Sequence, residues 1–224
     1  MRLIRTLLVS AAIALPVAAT AQYAQAPAQP GAQAQALPAF THPQTVPQDL
    51  ARIDAALNGT ASFSGRFAQY GSDGSYATGT VQLQRPGKVR FAYDDPNPLL
   101  IVSDGVTLVQ HDKALQTYDR VPLSATPLNY FLKENVRLQS DTEVIGLQKL
   151  PTEWRVTARD GSGELEGAIT MVFDPQTLAL TQWVISDEFG GQTAVQLSDL
   201  RYNQRIDPRQ FVLRDDSRRD RRRR

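Results

Sequence analysis

From Ser62 to Leu197 apolar residues recur at every second position in short runs, and each run is stopped by Gly, Pro, Asn or Asp. A spacing of two puts alternate side chains on one face of a strand, and short turns between such runs make consecutive strands antiparallel neighbours. "SFSGRFAQY" sets Phe63, Gly65 and Phe67 against Ser64, Arg66 and Ala68, and "GSDG", Gly71 to Gly74, turns the chain back. "VQLQ" and "KVRFAY" flank the Arg85-Pro86-Gly87 turn, placing Val81 and Leu83 on one side and then Val89, Phe91 and Tyr93. After the break "DDPNP", "LLIVSDGVTLV" forms a hairpin around Ser103-Asp104-Gly105, followed by "LQTYDRV". "EWRVTAR" aligns Trp154, Val156 and Ala158; "GAITMVFD" aligns Ile169, Met171 and Phe173; "LTQWVISDEFGGQTAVQL" makes a last hairpin. Strands at hairpin spacing with almost no intervening helix predict a mainly β chain built on one large antiparallel sheet or barrel.

Two helical segments interrupt this pattern. Val46, Leu50, Ile53 and Leu57 fall on one helical stripe, with Thr45 as a cap, Pro47 in the first turn and Asn58-Gly59 as the stop. Asp49, Arg52 and Asp54 are then expected to face outward. "TPLNYFLKENV" offers Thr126 as N-cap and Pro127 at the first helical position, with Leu128, Phe131 and Leu132 on one face. Two amphipathic helices are thus available to cover one face of a curved sheet.

One residue sits oddly. Val81, Leu83 and Arg85 share a face, so a guanidinium ends an apolar row. A buried arginine must satisfy its donors or suffer heavy desolvation, and its own strand offers no carboxylate. Two solutions are open. Either an acidic residue from elsewhere pairs with it in an ordinary core, or fixed backbone carbonyls of a helix end or loop accept its hydrogen bonds. Bonds to a charged group are worth about 1.5–3 kcal/mol each, enough to hold a lid and small enough to be undone.

The chain ends read differently from the body. Arg2 and Arg5, an apolar run from Thr6 to Leu15 and Ala19-Thr20-Ala21 make residues 1–21 a secretory signal peptide. Residues 22–44, rich in Ala, Gln and Pro, read as a disordered leader holding His42, and residues 45–213 as the folded domain. Residues 214–224 carry seven arginines and three aspartates, a basic disordered tail. That leaves 15 basic and 20 acidic residues in 22–213, an acidic body with a basic end. For the tail, Arg218, Arg219, Arg221 and Arg222 included, the readings are a solubilising end or attraction to anionic lipid headgroups. There is no cysteine, so no disulfide supports an exported fold, and acylation on a cysteine after the signal is excluded.

Catalytic chemistry has little to work with. His111 and Asp112 are neighbours on one strand and therefore point to opposite faces. No nucleophile elbow, zinc-helix motif, phosphate loop or dinucleotide fingerprint is present. Asp94-Asp95 precedes Pro96 and Pro98, where turn formation accounts for it, without the spacing of a calcium loop. No enzyme activity and no cofactor or metal are expected.

"LQRPGKVRFAYDDPNPLLIVSDGVTL", with Phe63, Phe67 and Gln69 upstream, resembles the outer-membrane lipoprotein carrier protein (LolA) family, over roughly Pro47 to Leu213. Val109 stands where many members have Trp, and the long leader and the arginine tail are additions to the pattern. The resemblance implies an unclosed antiparallel half-barrel whose concave face is covered by helices and encloses an apolar cavity. It implies a periplasmic chaperone, monomeric and without nucleic-acid partners. Such a chaperone takes acylated lipoproteins from an inner-membrane ABC-type exporter to an outer-membrane receptor or to the outer membrane surface.

On that resemblance, Phe63, Phe67, Val81, Leu83, Val89, Phe91 and Tyr93 line the cavity. Arg85 is the lid latch, and Leu128, Phe131 and Leu132 lie on the lid helix. The carrier reading further expects an inner wall that the protein's own side chains leave unfilled. Two rivals are a periplasmic lipid- or lipoprotein-sensing regulator on the same half-barrel, and an esterase or other hydrolase.

Overall fold

A computed structural model describes residues 46–163 and 165–213. It opens with helix α1, Val46–Gly59, whose Leu50, Ile53 and Leu57 are buried as the stripe requires. Thr45, its expected cap, lies outside the described residues, as do the signal peptide, the leader with His42 and the arginine tail.

The strands then follow almost without pause. They are β1 Ser62–Gly71, β2 Tyr76–Gln84, β3 Lys88–Tyr93, β4 Leu99–Asp104, β5 Thr107–Asp112 and β6 Thr117–Pro122. A 3-10 turn at Leu123–Ala125 leads to the short helices α2, Asn129–Leu132, and α3, Leu138–Asp141. The chain returns through β7 Glu143–Lys149, β8 Trp154–Arg159, β9 Ala168–Phe173, β10 Leu180–Ser186 and β11 Gln192–Tyr202.

These eleven strands form one antiparallel sheet in the order β6-β5-β4-β3-β2-β1-β11-β10-β9-β8-β7, among the described residues. β6 and β7 are its two edges, so the barrel is not closed. Hairpin connections alone account for both halves, and β1 joins them by pairing with β11. The helices cover the concave side, because only there do the buried rows of α1, α2 and the strands meet in one apolar cluster.

Three local expectations are corrected. Thr126 does not cap α2. It ends the preceding 3-10 turn, donating its hydroxyl to Leu123 O, and Leu128 takes the cap position without a side-chain bond. α2 is accordingly a single turn. Asp49 does not face outward: it is 4% exposed and bonded to Lys149. Asp54 is half-buried and accepts from the backbone N–H of Leu138, at the start of α3.

β7 and α3 have no counterpart in the sequence reading. A bulge between Val144 and Gly146 breaks the period of two that would have revealed the strand.

On the convex side a second, smaller apolar patch lies outside the main cluster. Leu100 and Val102 of β4 are buried there, as are Ile206 and Phe211 of the segment after β11. Asp207 caps a 3-10 turn at Pro208–Phe211 by accepting from Arg209 N–H, and Arg90 reaches Gln210 O. This C-terminal strap covers the backs of β3 and β4.

Candidate lipid-binding face and lid

Strand register brings the expected residues together. Phe63 pairs with Leu83, and Leu83 with Val89; Gly65 pairs with Val81, and Val81 with Phe91; Phe67 pairs with Gly79, and Gly79 with Tyr93. All seven predicted wall residues, Phe63, Phe67, Val81, Leu83, Val89, Phe91 and Tyr93, are buried in the same cluster. Gly79 is needed here for space: a Cβ would meet the ring of Phe67. That ring packs edge-on against Phe91 at 5.3 Å and Tyr93 at 5.1 Å.

Trp183 of β10 completes the aromatic set and was not singled out from the sequence. It lies 6.0 Å from Phe91 and 5.3 Å from Phe131, bridging wall and lid. Its alternation with Ile185 was legible, but a bulge between Leu180 and Gln182 hides the start of the row. The tertiary fold alone shows that two distant hairpins aim their rings at one point.

The wall carries a part-buried polar pair. Tyr93 donates its hydroxyl to Gln69 Oε1 at 2.6 Å, and burial raises the phenol well above its ordinary range. A neutral, paired hydroxyl adds no charge to the face.

Leu128, Phe131 and Leu132 are buried against this wall, together with Tyr130, Val136 and Leu138. The lid segment is fastened at several points. Arg85 donates from Nη1 to Lys133 O at 3.0 Å, and Gly87 N–H to Leu132 O at 2.8 Å. The side-chain amide of Asn58, read from the sequence only as a helix stop, bonds both Val136 C=O (2.9 Å) and Val136 N–H (2.8 Å). On the far side of α1, Lys149 Nζ lies 2.8 Å from Asp49, and both Lys149 and Arg52 stack on the ring of Trp154.

The question posed by Arg85 has a geometric answer. Among the described residues its side chain has one acceptor, the backbone carbonyl of Lys133, and no carboxylate within ion-pair distance. Of the two sequence readings, the backbone-carbonyl solution is the one present. Burial pushes the guanidinium down to about 10, so it remains charged at neutral pH.

With the lid down, the free volume beneath it is small. One void of about 20 Å³ lies among Leu57, Phe63, Leu83, Arg85 and Phe131. A second of the same size lies among Phe91, Tyr93, Leu128, Trp183 and Val195. Each has room for about one water. The lid's own side chains fill the face, so the unfilled wall expected from the sequence is not seen in this arrangement. An acyl chain fits only if Phe131 and Leu128 leave.

The geometry defines an open half-barrel with an apolar, aromatic concave face and a short helical segment held over it by a few polar contacts. The family described as outer membrane lipoprotein carrier protein LolA matches residues 58–214, and the chain belongs to that family. An outer-membrane lipoprotein carrier protein of Chromobacterium violaceum is 27% identical over 171 residues, covering 73% of this chain and 82% of the relative. One of the same name from Nitrosomonas europaea is 28% identical over 165 residues, covering 69% and 79%. Among solved structures, a LolA superfamily protein from Nitrosomonas europaea is 10% identical, covering 73% of this chain and 97% of its own, with a TM-score of 0.45.

Proposed function

We propose that the protein is a periplasmic chaperone that carries acylated lipoproteins from an inner-membrane ABC-type exporter to the outer membrane or a receptor there. The observation that carries this reading is the Arg85–Lys133 contact over a wall that is otherwise apolar. Burying each methylene of a fatty chain is worth about 0.8 kcal/mol, so the several chains of a lipoprotein bring tens of kcal/mol of exposed apolar surface. A rigid core could not accept them. A lid fastened by a handful of hydrogen bonds can exchange its own Phe131 and Leu128 for a guest.

Export by the N-terminal signal and attraction of Arg218, Arg219, Arg221 and Arg222 to anionic headgroups belong to the same proposal. The cycle makes and breaks no covalent bond, so loading and release follow from competition between lid and guest for one face.

The test is a mass-spectrometric inventory of what co-purifies with the chain from the periplasm, followed by transfer of that cargo to outer-membrane vesicles. Acylated polypeptides that move to the vesicles support the carrier. A co-purifying signalling protease or anti-sigma factor without acylated cargo would replace the carrier with a lipid-sensing regulator.

A further inference from the structure

The void nearest the lid latch is apolar on nearly every side, and the one charged group on its lining is Arg85. Nη1 of Arg85 is engaged with Lys133 O, but Nε is buried and has no hydrogen-bond partner among the described residues. A buried donor left unmade is costly and rarely tolerated without a reason. When the lid lifts, Lys133 O leaves as well, and the guanidinium then faces an apolar channel with no acceptor of its own.

We infer that Arg85 is a binding residue for the guest's acyl carbonyl: the oxygen of a fatty ester, amide or carboxylate replaces Lys133 O. The alkyl tail then runs from the β2–β3 turn along Leu83 and Phe63 toward Phe67 and Trp183. This inference rests on the carrier reading and adds the chemical class and orientation of what is held. Three features support it. The outgoing acceptor is itself a carbonyl, so the exchange is like for like. The fork of a guanidinium, still charged, accommodates one or two oxygens at once. A lining of apolar side chains with a single charged group suits the chemistry of a molecule with one polar head and an apolar tail. The exchange also couples lid position to occupancy, because the guest and the lid compete for the same donors.

The test compares three ligands of similar length, laurate, methyl laurate and tridecane, by displacement of the fluorescent probe N-phenyl-1-naphthylamine. The wild type and Arg85→Leu are measured side by side, each checked for folding by thermal unfolding. The preference of the wild type for methyl laurate over tridecane is expected to fall about tenfold in Arg85→Leu, the worth of one hydrogen bond to a charged donor. An equal fall for laurate assigns the site to acyl carbonyls in general; a fall for laurate alone assigns it to carboxylates.

In the wild type, the 15N-detected Arg85 Nε–H resonance should move with methyl laurate or laurate and stay put with tridecane. This readout decides the matter should the variant not fold. Identical preferences in both proteins, or an Nε–H resonance indifferent to the ester and the carboxylate, overturn the inference while leaving the carrier reading intact. Failure of all three ligands to displace the probe overturns both.

Discussion

At the β2–β3 end the helical cover is bonded to Arg85, a cation with no carboxylate beside it among the described residues. At the β7–β8 end it hangs on Asp49, a carboxylate bonded to Lys149, approached by Arg52 at 3.6 Å and bordered by Trp154. Both are charges on a largely apolar face, yet their energetics differ. Asp49 and Lys149 neutralise each other, and their cost of burial is offset by mutual attraction and by the cation–π contacts with Trp154. Arg85 gains one bond to a neutral carbonyl and keeps its desolvation cost. The first arrangement suits a permanent anchor and the second a releasable catch. In the proposed carrier cycle, this difference makes α1 the fixed side of the lid and the α2 turn the side that lifts.

The largest expected effect comes from removing the anchor's platform. Trp154→Ala empties a buried indole site and should cost about 3–5 kcal/mol, read as a large fall in urea midpoint. Asp49→Asn removes a charge from a site 4% exposed and leaves Lys149 with a neutral partner. About 2 kcal/mol of destabilisation is expected, and a loss no greater than that of an exposed control such as Arg159→Gln would erase the distinction between anchor and catch. Asn58→Ala deletes both bonds to Val136. It should cost about 1–2 kcal/mol and speed amide hydrogen exchange between Val136 and Asp141 more than in the sheet.

Arg85→Leu sharpens the contrast from the other side. It removes a desolvated charge together with its single side-chain bond, so stability should change by no more than about 1 kcal/mol, while lipid loading and release both change. Should it unfold the protein as readily as Asp49→Asn, the catch is an anchor after all.

The smallest effect is a pH dependence at Asp54. Burial, partly offset by the Leu138 N–H bond, raises this carboxyl above its ordinary 3.8, and Asp141 adds to the rise. A raised acid binds its proton more readily in the fold than in the unfolded chain. Its contribution to stability is therefore fully present below pH 3.8 and is lost as pH rises through the folded value. Asp54→Asn should flatten the stability curve in that window alone, which urea titrations at successive pH values would show.

Much of this was legible in the chain. The alternation of Phe63, Phe67, Val81, Leu83, Phe91 and Tyr93 specified their common face, because strand geometry leaves no other option. The apolar row that ends at Arg85 showed that a cation would need an unusual partner, though not which one. Asp49 was misplaced for an equally physical reason. A helical stripe tells which side of α1 is apolar but not how far the neighbouring strand wraps around it, and Lys149 comes from β7, a strand whose bulge concealed it. Phe211 and Ile206 were unreadable, since nothing local distinguishes a strap from a loop.

Local rules alone decided that this protein is a run of hairpins with two apolar helical segments and a guanidinium on a greasy face, because strand alternation and turn chemistry act over a few residues. Only the tertiary structure decided that β1 meets β11, that Trp183 meets Phe131, and that Lys133 O meets Arg85. Those contacts join residues 48 to more than 130 positions apart. Their strength depends on which surfaces the closing sheet presents to one another, a property that no short stretch of chain possesses.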